Sequence, residues 1–138
     1  MVFFKAQKYQ RLAELEARVQ KALEEAGGDG LNWAEDELAS AAGMAGFDLE
    51  TARLLDAETL ATVLRAGGEG AEGRVWLAAE TLYLDGLVAR AQGRRADARD
   101  RWAKACSLYE RLDPEASFPE AEATPGERLR AVREEAGG

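Results

Sequence analysis

Gly86–Ala105, GLVARAQGRRADARDRWAKA, is the stretch whose reading decides the fold. An apolar run ends at Gly93 and a charged one begins. Gly86 and Ala98 are small enough to let two helix backbones approach where they cross. Gly93 turns the chain, and Trp102 fills the groove between neighbours. Ala98, Trp102, Ala105, Tyr109 and Leu112 recur at three- and four-residue steps, which predicts a helix from about Arg94 to Leu112. Asp113-Pro114 stops it. Upstream, residues 74–92 carry Val75, Trp76, Leu77, Leu82, Tyr83, Leu84, Leu87 and Val88. A helix apolar on most of its sides is expected at the centre of a bundle.

Outward from this hairpin, the same periodicity places a helix over residues 2–26, built on Leu12, Leu15, Val19 and Leu23. Gly27-Gly28-Asp29-Gly30 ends it. A second helix runs from Trp33 to about Ala42, with Asn32 as its cap and Glu35 completing a capping box. Phe47–Gly68 reads as two short helices capped by Asp48 and Asp56, with Leu54, Leu55, Leu60, Val63 and Leu64 on the buried side. In the tail, Thr124-Pro125-Gly126-Glu127 opens a helix with proline at its first position. Only Leu129 and Val132 are offered to a core there, so a peripheral or frayed helix is expected. No segment calls for a strand. The fold class is all-α with five to seven helices: one domain over 1–112, then an acidic linker and peripheral helix over 113–138.

Gly86, Gly93, Ala98, Trp102 and Ala105 stand at the intervals of the tetratricopeptide repeat, and the hairpin over 74–112 resembles one. Leu82, Ala89 and Pro114 depart from that motif. In residues 2–45, Ala34, Leu38 and Ala41 repeat the second-helix spacing, which fits either a degenerate repeat or an ordinary amphipathic hairpin. The element order over residues 5–112 also resembles a small family of bacterial all-helical proteins of uncharacterised activity. The segment Leu55-Asp56-Ala57-Glu58-Thr59-Leu60 corresponds to that family's Leu-Asp-x-Glu-x-Leu. Neither resemblance implies an enzyme activity; the tetratricopeptide-like hairpin leads to the expectation of a non-enzymatic, protein-binding or scaffolding role.

Composition narrows the function classes. A chain of 138 residues suits one domain, which buries about two-thirds of its unfolded surface. Arginine outnumbers lysine 14 to 4 and isoleucine is absent, the usage of a GC-rich, bacterial genome. With no histidine, the commonest general base and most zinc sites are missing from the repertoire. The net charge of −8 is uneven: residues 27–72 sum to −8 and residues 73–112 to +3. That asymmetry suggests charge complementarity within or between chains and argues against nucleic acid, which needs a sustained positive field. No run reaches the roughly 18 apolar residues that span a bilayer. Cys106 is the one cysteine, so a cytoplasmic protein without an internal disulfide is expected.

The candidate residues follow. Neither Glu35-Asp36-Glu37 nor Cys106 is assigned a catalytic or metal role, and no cofactor is expected. Cys106 reads as a buried small hydrophobe. Glu80 and Asp85 lie in the most apolar helix and need partners, with Arg90, Arg94 or Arg99 in reach. A structural ion pair is the first reading; a carboxylate/arginine pocket for a small ligand or an enzyme-accessory role is the alternative. Arg94, Arg95, Arg99 and Arg101 read as the solvated rim of a folding motif, interspersed with Asp97 and Asp100, that meets this chain's own carboxylates, with an acidic partner as the alternative. Trp33 reads first as a core residue and, near a helix start, as a candidate partner anchor. Phe3, Phe4 and Tyr9 fall outside the apolar stripe of the first helix, where they would cover the bundle or a second copy of the chain as a homodimer.

Overall fold

The computed structural model describes the backbone of residues 2–26 and 31–137, and the side chains of residues 7–25 and 31–137. Seven helices and no strand occur among the described residues: α1 (Val2–Ala26), α2 (Ala34–Ala45), α3 (Leu49–Leu54), α4 (Ala57–Arg65), α5 (Ala71–Ala91), α6 (Arg95–Tyr109) and α7 (Pro125–Gly137). The all-α class is therefore the observed one.

Helix α5 is the axis of the bundle. Sixteen of its 21 residues are buried, and it packs against α1, α2, α4 and α6. Its apolar character on nearly every side is the cause, since a helix surrounded by others has no face to give to water. Its closest partner is α6. The chain reverses between them at Gly93, whose φ of 82° lies in the left-handed region that glycine occupies without a Cβ penalty. At Gly86 a Cβ would overlap the Trp102 indole, so the glycine is what lets the tryptophan seat against α5. The indole Nε1 then donates to the Tyr83 carbonyl at 3.2 Å, satisfying the one polar atom of a buried ring.

Helix starts follow the cap chemistry at three of the four expected places. Asp48 accepts from the Thr51 amide at 2.9 Å and Asp56 from the Thr59 amide at 2.8 Å. Thr124 and Glu127 form the reciprocal box that begins α7, with bonds of 3.0 and 3.2 Å. Asn32 is the exception. Helix α2 starts after Trp33, without a side-chain cap, because Glu35 is drawn to Arg53 instead of back to the chain start.

Other expectations are corrected by packing. Leu54 is 83% exposed and Val63 is also exposed, because helices of six and nine residues present only Leu49, Ala52, Leu60, Ala61 and Leu64 to the core. Cys106 is half-buried, not buried. The C-terminal helix α7 lies on α6, burying Pro125 and Val132. The linker before it also docks, since Phe118 stacks on Trp76 with ring centroids 4.9 Å apart and planes 6° from parallel. No described helix is long and apolar enough to cross a membrane.

Candidate functional site

Helix α5 carries two buried carboxylates, and their surroundings separate a structural site from a candidate binding site. Asp85 is 1% exposed. The Arg53 guanidinium grips it with two parallel bonds, Nε to Oδ2 and Nη2 to Oδ1, both 2.8 Å. Arg101 adds Nε to Oδ2 at 3.1 Å. Arg53 goes on to Glu35 at 2.7 Å and Glu50 at 2.8 Å, so α2, α3, α5 and α6 are tied at one point. The Asp85 and Glu35 carboxylates raise the Arg53 pKa, so the guanidinium stays charged, and Arg53 in turn lowers that of Glu35. Three matched donors balance a carboxylate that borders no groove, which makes it a structural charge site.

Glu80 sits on the same helix, 8% exposed, with different company. Arg128 of α7 donates to it in a fork, Nε to Oε1 at 2.7 Å and Nη2 to Oε2 at 2.9 Å. The Tyr109 hydroxyl of α6 donates to Oε1 as well. Arg128 also reaches Glu16 of α1 at 3.1 Å and lies over the Tyr83 ring, 5.0 Å from its centroid. Burial pushes the Glu80 carboxyl up, and the Arg128 charge and Tyr109 bond pull against that shift. Tyr109, fully buried beside this carboxylate, is pushed well above the usual phenol range.

Glu80 and Arg128 face a groove of about 410 Å3, partly open to solvent. One wall is α1, with Tyr9, Ala13, Glu16 and Gln20; the other is the linker segment 119–123. Trp76, Leu77 and Leu84 of α5 lie beneath. The Tyr9 ring can enter because α5 has glycine at position 73, where a Cβ would overlap the phenol oxygen. Four carboxylates border the groove, Glu16, Glu80, Glu120 and Glu122, against one guanidinium, Arg128. Glu120 has a φ of 61°, the one positive value at a non-glycine residue among the described residues. An L-residue in that region costs on the order of 1–2 kcal/mol, a cost that natural proteins tend to retain at functional sites.

A second hollow of about 380 Å3 lies beside Phe47, Leu60 and Val63. Its two charged groups are already committed. Asp48 caps α3, and Arg74 donates to the backbone carbonyls of Leu64, Gly68 and Glu69. The first groove carries the larger set of charged groups, Glu16, Glu80, Glu120, Glu122 and Arg128, and is the better candidate.

The residues singled out in the sequence are dispersed by the fold. Arg101 is drawn inward to Asp85 and is no part of a solvated rim. Arg95 and Arg99 are exposed, while Arg94 pairs with Asp97 at 3.1 Å. Arg90 holds Glu135 and lies over the Trp102 ring at 5.1 Å. None of Arg90, Arg94 and Arg99 partners Glu80 or Asp85; Arg53, Arg101 and Arg128 do. Trp33 is half-buried under Arg18, whose guanidinium is 4.3 Å from the ring centroid. Tyr9 lines the groove, and the side chains of Phe3 and Phe4 lie outside the described residues. The Glu35-Asp36-Glu37 run does not converge, since Glu35 serves Arg53 and Glu37 serves Arg11.

Arg53 and Arg128 carried a signal that periodicity could have exposed. Arg53 stands four residues after Leu49, and Arg128 four before Val132, so each shares a face with a buried aliphatic. An arginine on an apolar face asks for a buried acid. Compared with family models, with curated proteins and with solved structures, the chain finds no match in any of the three.

Proposed function

We propose that the protein is a non-enzymatic binding module that holds a basic, partly apolar segment of a partner protein in the groove between α1, α5 and residues 119–123. The observation that carries this reading is the groove itself: a concave site of about 410 Å3 with an apolar floor and a net acidic border. That volume falls in the usual range of roughly 300–1,000 Å3 for ligand sites. It accommodates a few side chains of an extended or helical segment. The acidic balance of the chain, −8 overall, favours basic partners at long range as well. The α5–α6 hairpin, with Gly86, Gly93 and Trp102 in their packing roles, supports a tetratricopeptide-like scaffold for the module.

The test is direct. A fluorescent twelve-residue peptide of alternating arginine and leucine is titrated against the protein and followed by anisotropy. Saturable binding that weakens with salt is expected, together with loss of binding when Ala17→Trp fills the groove from the α1 wall. No binding, or binding untouched by the plug, would refute the proposal. A second reading, a small cationic ligand, is favoured by Glu80 at the groove floor. It predicts that agmatine competes fully with the peptide; a peptide segment as the true occupant predicts weak competition.

A further inference from the structure

We propose that Glu80, Glu16 and the Tyr83 ring form a guanidinium subsite, filled in the closed protein by Arg128 and, on binding, by an arginine side chain of the partner segment. This rests on the groove reading above and names the chemistry of its floor. The arrangement around Arg128 is a complete recognition site for a planar cation. Glu80 supplies two oxygens in the fork geometry, at 2.7 and 2.9 Å. Glu16 supplies a second carboxylate at 3.1 Å, and Tyr83 offers a ring face 5.0 Å away. The Tyr109 hydroxyl fixes the orientation of Glu80 from the other side. An ammonium cannot match that fork, because its donors are not coplanar.

The occupant comes from the element best suited to yield it. Helix α7 fully buries only Pro125 and Val132, rests Leu129 partly against the core, and is otherwise tied on the surface by the ion pairs Arg90–Glu135 and Arg133–Glu110. A non-helical segment, residues 113–124, precedes it and forms the outer wall of the same groove. Elements with few buried apolar contacts are the first to open locally. Exchange of one guanidinium for another leaves Glu80 paired in both end states, so the buried charge is balanced before and after it. Helix α7 thus acts as a built-in competitor that sets a threshold on affinity and demands arginine instead of lysine.

The experiment uses Arg128→Ala, with melting followed in methylguanidinium or methylammonium chloride at equal low millimolar concentrations. Saturable recovery of the melting temperature by methylguanidinium, beyond that given by methylammonium, is expected. The same variant should bind the arginine/leucine peptide about tenfold more tightly than the wild type, as removal of an internal competitor raises the competent fraction. A lysine/leucine peptide should bind both proteins more weakly. Should the alanine variant not fold, Arg128→Lys carries the peptide comparison, since it keeps the charge and loses the fork. Equal recovery by both cations, or equal peptide affinities of variant and wild type, would overturn the subsite. Groove binding of arginine and lysine peptides with equal affinity would leave the groove reading standing and sink this one. Failure of either peptide to bind any form would sink both.

Discussion

Asp85 and Glu80 stand five residues apart on one helix, both buried and both paired with arginine, yet they do different work. Asp85 is enclosed by Arg53 and Arg101, from helices on either side of it, with Glu35 and Glu50 extending the network to α2 and α3. Glu80 takes its guanidinium from the last helix of the chain, across the floor of a groove. The chemistry of the pair is the same in both places. What differs is the setting: Glu80 and Arg128 line a groove, whereas Asp85 lines none. Burial of a carboxylate is therefore a poor guide to role until its setting is known.

The contrast can be broken most severely at Asp85. Arg53→Ala removes the fork and leaves a buried acid with Arg101 alone, which should cost about 3 to 5 kcal/mol in urea unfolding. A cost under about 1 kcal/mol would mean that this network is not structural. Next in size is Gly86→Ala. Its methyl would meet the Trp102 indole, and overpacking of that kind costs about 1 to 3 kcal/mol with a matching change in tryptophan fluorescence. Arg128→Ala should cost less than Arg53→Ala, about 2 kcal/mol, because water from the groove reaches Glu80 where none reaches Asp85. Equal costs would erase the distinction between the two acids.

Acid titration separates carboxylates in the same way. Arg53 holds Glu35 below the usual carboxylate range, and the amides of Thr51 and Thr59 do the same for Asp48 and Asp56. A folded-state pKa below the unfolded one gives stability that is present above about pH 4 and lost as the pH falls through the lowered value. Glu80 runs the opposite way. Its pKa is raised, so its contribution is present below the ordinary glutamate value and lost as the pH rises through the raised one. Glu80→Gln should accordingly flatten the upper side of a stability–pH curve, and Asp48→Asn the acid side. The smallest expected effect is at Glu120. Replacement by glycine removes the left-handed penalty and should stabilise by about 0.5 kcal/mol once the extra freedom of unfolded glycine is subtracted. The same change removes one carboxylate from the groove and should weaken peptide binding.

Much of the fold was legible in the sequence because it rests on local and periodic signals. The positions of Gly86, Gly93 and Trp102 describe the hairpin before any coordinates do, and Asp48, Asp56 and Thr124 announce three helix starts. Asn32 failed because a long-range ion pair took the Glu35 that the capping box required. Leu54 and Val63 failed because apolar identity alone does not say which side of a short helix is covered. The groove was the least legible part. Its walls come from α1 and residues 119–123, about a hundred residues apart, and its floor pair joins residue 80 to residue 128. Nothing in local spacing encodes such pairings, although the shared face of Arg128 and Val132 was there to be read.

The most direct test of the division between Asp85 and Glu80 is amide hydrogen exchange on the wild-type protein with and without the arginine/leucine peptide. Protection is expected in residues 9–20 and 119–123, with faster exchange in 125–137 and no change in 49–65 around Arg53. Protection confined to α3, α4 or the exposed side of α6, or no change anywhere under saturating peptide, would contradict it.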